Sequence, residues 1–272
     1  MRNRTLAVGM GVLFLAGCNT LDVENPNAPD SKRALADPAA IEAVAGGTLR
    51  SWFNTYDGME GGGPLNTMAR TYSASWNNYN MNFYSSIDAD GTRNTRPYQN
   101  DLASAGRSTM IGYWQGYYST LSSAVDVLTA IRKNKLVITT AANTKRAETI
   151  AQLMRGASLM GIALNYDKGY VIDENTDLTT LEYKTRKQMR DAAVASFAEA
   201  ATLATANTFT TPSGWTNGTA YTNVQIAQLA RTMSAMTLAY YPRTPEENTA
   251  VDWAAVSALA AGSEANADFV TI

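Results

Sequence analysis

Apolar residues recur at three- and four-residue spacing in six stretches of this chain, and each stretch predicts a helix with one buried face. Asp37 is placed to cap the first, with Pro38 at its opening position, where a missing N–H costs nothing. That stripe runs through Ile41, Val44, Ala45, Thr48, Leu49, Trp52 and Phe53. The second begins near Ser108 and passes through Trp114, Tyr117, Leu121, Ala124, Val125, Leu128 and Ile131. It ends at Arg132, Lys133 and Lys135, cations that suit a helix C-terminus. Asn143 caps the third, which carries Ile150, Leu153, Met154, Ala157, Met160, Gly161 and Leu164. Thr185 and Gln188 form a capping box ahead of the fourth, from Met189 to Leu203. Asn223 opens the fifth, from Ile226 to Tyr240, and Pro242 stops it. Asp252 caps a shorter sixth bearing Trp253, Val256 and Leu259, with Gly262 at its C-terminus.

Where the period fails, the residues change character. Asp57 to Pro64 is a loop, because consecutive glycines do not hold a helix. Residues 66–100 form an irregular stretch rich in aromatics and asparagine. Residues 170–184 read as weakly structured, with the acidic run from Asp173 to Asp177 as a solvated loop, and 207–221 as turn-rich. Long helices on short connections favour helix pairs, and Ala157, Gly161, Ala193, Ala200, Ala227 and Ala230 allow close approach between them. The expected fold is mainly α, tetratricopeptide-like stacked helical hairpins with an irregular aromatic-rich loop region. No tight 34-residue consensus marks a repeat. Residues 263–272 show no cap, closing helix or polar tail, so a C-terminal part of the domain is expected to be missing.

The N-terminus carries a different pattern. Arg2 and Arg4 precede an apolar run from Leu6 to Ala16, too short to span a bilayer, and Leu15-Ala16-Gly17-Cys18 closes it. That order of features reads as a lipoprotein signal peptide over 1–17, cleaved before a lipidated Cys18. Cys18 is the only cysteine and has no disulfide partner within the chain. Residues 18–34, with two prolines in Leu21 to Asp30, form an extended tether, and 35–272 the helical domain.

Composition then narrows the chemistry. The 22 basic and 24 acidic residues give a formal net charge of −2 with no basic patch, which offers nucleic acid no electrostatic footing. The chain contains no histidine, which removes the usual general base, the Ser-His-Asp triad and the commonest zinc ligand. Paired carboxylates remain for hydrolysis, but no pair is singled out by spacing. A binding protein is expected rather than an enzyme.

Several segments together resemble one family, the SusD/RagB-like outer-membrane lipoproteins, surface glycan-binding partners of TonB-dependent transporters. The lipobox followed by Leu21-Asp22-Val23-Glu24-Asn25-Pro26-Asn27 is similar to the family's mature start. Tyr113-Trp114-Gln115-Gly116-Tyr117-Tyr118, continuing to Ile131, is similar to its first long helix. Ala147 to Gly169, with Arg155-Gly156-Ala157 inside, resembles the next, although Lys168-Gly169-Tyr170 replaces the usual apolar-glycine-acid-proline turn. Asn223 to Tyr241 and Trp253 resemble later helices. The family is usually much longer, which agrees with an N-terminal part or a shortened relative. The resemblance implies a non-enzymatic lipoprotein on the outer membrane, attached by lipid alone. Its partners would be a SusC-like transporter and an oligosaccharide or other nutrient.

No fixed motif marks the family's sugar sites, so candidates are chosen by side-chain chemistry. Sugar rings offer flat C–H faces to aromatic rings, and their hydroxyls need amide and carboxylate partners. Trp76, Asn77, Asn78, Tyr79, Asn80 and Asn82 supply both in one stretch, against a reading in which these aromatics fill a core. Trp215, in Pro212-Ser213-Gly214-Trp215-Thr216-Asn217-Gly218, is the second candidate, against simple exposure in a turn. Trp114, Tyr117 and Met160 sit on helical stripes and are assigned to the core. Asp88, Asp90 and Asn94 offer oxygen ligands to calcium, but the closing Glu of an EF-hand is missing, and an Asp/Gly turn explains them better. No cofactor is expected. Two other functions fit the same helices: a tetratricopeptide-type scaffold lipoprotein for envelope proteins, and a carboxylate-based glycan hydrolase.

Overall fold

Asp37 behaves as its sequence position demands, accepting the Ala39 N–H at 2.9 Å and starting α1 (Pro38–Tyr56). The computed structural model describes residues 35–57, 65–66, 103 and 107–263, without the side chains of 108 and 109. The lipobox, Cys18, the Trp76–Asn82 stretch and Asp88, Asp90 and Asn94 lie outside the described residues. The structure is mainly α-helical. After α1 come α2 (Arg107–Leu128), α3 (Ala141–Asn165), α4 (Arg186–Ala206), α5 (Asn223–Tyr240), α6 (Pro245–Thr249) and α7 (Trp253–Ala261).

Capping explains most boundaries and corrects some expectations. Thr185 and Gln188 form the expected capping box on α4. Thr222 and Gln225 form a second one on α5, so Asn223 is the first helical residue rather than its cap, and its side chain bonds the Ala204 carbonyl. The cap of α3 is Thr140, three residues before the expected Asn143, whose own N–H donates to the Thr140 hydroxyl. The two residues share the same capping chemistry, and only the extended backbone of Thr140 decides between them. Thr244, with Pro245 in the first turn, starts the short α6, a helix the apolar pattern lacks because none of its residues is buried. Asp252 and Gly262 bound α7 as expected.

The second helix does not run straight to Lys135. Its last turn, Thr129–Lys133, is π-helical, with the Asn134 N–H on the Thr129 carbonyl. The Leu136 N–H reaches the Ala130 carbonyl, and Lys135 takes a left-handed φ of 57°. The wider turn brings Arg132 towards α3, where its role emerges below.

The helices pack in sequence-adjacent pairs: α1 on α2, α2 on α3, α3 on α4, α4 on α5 and α5 on α7, with α1 also on α3. The centre is α3. From Ala147 to Ala163 every residue except Arg155 is buried, so the stripe read from its sequence is only part of a helix enclosed nearly all round. Close approach depends on missing side chains. The ring of Tyr117 occupies the space a Cβ on Gly161 would fill, at 2.5 Å from its nearest ring atoms, and Phe197 does the same at Gly156. Ala157, Ala193, Ala200, Ala227 and Ala230 are buried as expected.

The connection from α3 to α4 is more ordered than its composition implied. Lys168–Gly169 (β1) pairs antiparallel with Lys184–Thr185 (β2), and Asp177 caps a 3-10 turn at Leu178–Thr180. The connection from α4 to α5 closes on a bridge between Thr210 and Thr222 and contains a 3-10 turn at Ser213–Trp215. Among the described residues no helix is long and apolar enough to cross a membrane.

Candidate ligand cleft

Residues 43, 46, 47, 50, 53 and 54 share one face of α1 at helical spacing; Gly46 is buried there, whereas Ala43, Gly47, Arg50 and Asn54 are exposed. Two consecutive glycines there, Gly46 and Gly47, leave no side chain to fill the surface. Across from them the 3-10 turn presents Gly214, Trp215 and Asn217, and together they line an open cleft of about 700 Å³. That is within the range of small-ligand sites, about 300–1,000 Å³.

Trp215 is the one sequence candidate that the described residues bring into a concave site. It is half-buried rather than simply exposed in a turn. Its indole rests where a Cβ on Gly46 would sit, 2.5 Å from that position, so the glycine is needed for the ring to lie against α1. The Arg146 guanidinium lies 5.3 Å from the ring centroid, a cation–π arrangement. Arg146 is itself held by Glu42 and by the Thr210 carbonyl, which ties α1, α3 and the turn together behind the indole. Asn217 takes a left-handed φ of 46° and Gly218 one of 89°, a tight turn that Asn and Gly tolerate.

The polar side chains of the cleft are Arg50, Asn54 and Asn217. Arg50 is exposed and, among the described residues, has no ion-pair or hydrogen-bond partner. No Asp or Glu lines the cleft among those residues. Phe53 adds a second aromatic ring. Sequence reasoning missed Arg50, Phe53 and Asn54 because they lie far from Trp215 in the chain. The paired glycines inside an otherwise regular helix were the available signal.

A second aromatic assembly sits around the strand pair. Trp114 packs on Tyr118 at 4.6 Å and edge-on to Tyr166 at 5.1 Å, and Tyr118 contacts Tyr170. Tyr170 in turn stacks on the exposed Tyr183 at 4.4 Å. Tyr118 is pinned by the Tyr170 backbone, donating to its carbonyl and accepting its N–H. Burial, opposed in part by this backbone bond, pushes the Tyr118 hydroxyl up to about 12. Trp114 is thus half-buried in a ring cluster, while Tyr117 and Met160 are core, as expected. A smaller hollow of about 140 Å³ between α1, α3 and α5 is lined mainly by Trp52, Tyr56, Met154, Met160, Met233 and Met236. It offers almost no polar group.

The acidic run at 173–177 is not merely solvated. Arg132 bonds Glu148 at 2.8 Å, Glu174 at 3.0 Å and Glu199 at 2.6 Å, and Lys145 adds a second bond to Glu148. Burial alone would lower the Arg132 pKa, but bonds to Glu174 and Glu148 and the field of Glu199 raise it. Burial likewise works against the Glu148 anion, yet its bonds to Lys145 and Arg132 lower the pKa overall. Arg155, whose pKa burial lowers, bonds the Ile172 carbonyl and the Ser196 hydroxyl. These bonds tie the connection to α2, α3 and α4. No group of His, Cys, Asp and Glu able to hold a metal occurs among the described residues.

Comparisons with family models, with curated proteins and with solved structures find no match to this chain.

Proposed function

We propose that this chain is a lipid-anchored outer-membrane protein of the SusD/RagB-like kind. It binds a glycan or similar nutrient and passes it to a TonB-dependent transporter. In this reading the sequence-adjacent helix pairs are tetratricopeptide-type hairpins, Cys18 carries the lipid, and the protein binds without catalysing. The observation that carries the reading is the cleft of about 700 Å³, where the rings of Trp215 and Phe53 stand beside Asn54, Asn217 and Arg50. Flat apolar faces next to amide and cationic donors are the partners a pyranose needs. Holding the ligand near the pore raises its local concentration there.

The test is a glycan array on the soluble form from Asn19 onwards, repeated with Trp215→Ala and Trp76→Ala. Glycan binding that falls at least tenfold with Trp215→Ala supports the cleft; loss with Trp76→Ala alone moves the site to the first sequence candidate. An array with no bound glycan sinks the reading.

A second reading, a scaffold for other envelope proteins, is favoured by α7. Its sequence, Trp253 to Ala261, is strongly apolar, yet none of its residues is buried and Trp253 is 48% exposed. Recovery of defined envelope complexes, with no glycan bound, would select it.

A further inference from the structure

We infer that the Trp215 cleft selects saccharides carrying a negative group, a ring carboxylate or a sulfate, over neutral ones; the inference rests on the glycan-binding reading above. The cleft's charge balance points this way. Arg50 is the only charged residue lining it among the described residues, and no carboxylate stands beside it. The exception is local, because the chain as a whole has a net charge of −2. Arg146, beside the indole, is neutralised by Glu42. Among the described residues Arg50 has no ion-pair or hydrogen-bond partner on the exposed face of α1.

A guanidinium presents a planar fork of donors that matches a carboxylate or sulfate in a two-point contact, and it stays charged at any working pH. A neutral pyranose uses it only as one more hydroxyl partner. The side chains around it divide the remaining work. Asn54 lies one helical turn beyond Arg50 on the same face, and Asn217 stands on the opposing turn, so amide partners are available on both sides for ring hydroxyls. Trp215 and Phe53 supply flat apolar surface. Gly47, also in the lining, has nothing within 4 Å of where its Cβ would be, which leaves that part of the cleft open to a bulky ring.

The experiment uses the full mature chain in detergent micelles and isothermal titration calorimetry. The probes are tetragalacturonate, its neutral methyl ester and a sulfated galactose tetrasaccharide, with an array of uronate, sulfated and neutral glycans alongside. At low ionic strength an anionic probe should bind about tenfold more tightly than the ester, an advantage that shrinks as salt is raised. Which anionic probe wins separates carboxylate from sulfate. Arg50→Gln should bring the anionic probe within about twofold of the ester, while the ester, which loses one hydroxyl partner, should weaken by no more than about threefold. Neutral glycans bound as tightly as anionic ones, or a preference that survives Arg50→Gln, would overturn the inference and leave the glycan reading standing. Binding of no glycan at all, or binding indifferent to Trp215→Ala, would overturn both.

Discussion

Two arginine sites on this chain teach opposite lessons. Around Arg132 three carboxylates converge, a lysine adds to one of them, and Glu148 has only 7% of its side chain exposed. Around Arg50 no carboxylate converges among the described residues, and the neighbouring helix surface includes Gly47, with nothing within 4 Å of where its Cβ would be. A half-buried, multiply paired cation fixes one arrangement of the chain, because removing it strands the largely buried Glu148 and Glu174 charges without a partner. An exposed, unpaired one contributes little to the fold and is free to meet a ligand. The first is a clasp, the second the contact point proposed for a ligand.

The largest effect that would separate them is on stability. Arg132→Ala should cost about 3 kcal/mol, since Glu148 and Glu174 lose their counter-charge, and thermal melting should fall by roughly 6–12 °C. Arg50→Ala should stay within about 0.5 kcal/mol in the same melt. Equal losses for the two would erase the contrast. Next in size is Gly46→Ala. The added methyl collides with the indole of Trp215, so about 1–3 kcal/mol is expected, with a red-shifted tryptophan emission that is absent in a Trp215→Phe background. Unchanged emission would mean that the ring does not depend on the glycine.

Acid sharpens the comparison further. Glu148 has an ordinary value of 4.5 and Asp173 one of 3.8, and both are lowered in the fold, Glu148 by its cations and Asp173 chiefly by the Thr176 hydroxyl and Asn175 N–H acting against burial. A lowered folded pKa means the unfolded chain takes up protons first. Their contribution is therefore fully present above about pH 4.5 and is lost as pH falls through the lowered values. Urea melts between pH 6 and 3 should show this loss, and Glu148→Gln should flatten it. Ligand binding by the cleft should be insensitive to protein titration over the same range, because no carboxylate lines it among the described residues. A modest effect is expected from Trp215→Ala on stability, about 1 kcal/mol for a half-buried ring, against the at least tenfold loss of glycan binding proposed above. A loss of several kcal/mol would assign Trp215 to the core instead.

Much of the helical frame was legible beforehand, because caps and apolar spacing act within a few residues. Asp37, the Thr185–Gln188 pair and Asp252 all cap as their positions suggest. The Thr140 cap, the π turn at Thr129–Lys133 and the short α6 were not, since each depends on competition between similar local options or on contacts outside the segment. Of the cleft, only Trp215 was picked out. Residues 50, 53 and 54 share a wall with it solely because α1 and the Ser213–Trp215 turn meet.

The order of residues by itself determined where α1, α4 and α7 begin, where the apolar stripes fall, and that the chain holds no histidine and a single cysteine, because these follow from near-neighbour backbone bonding and from inventory. Only the tertiary structure decided that α3 is enclosed nearly all round, that Glu174 serves the half-buried Arg132, and that Arg50 lines one cleft with an indole some 160 residues away in sequence. The physical reason is range. Capping and periodicity are written into spans of a few residues, whereas charge pairing and cavity shape depend on which distant surfaces close against each other.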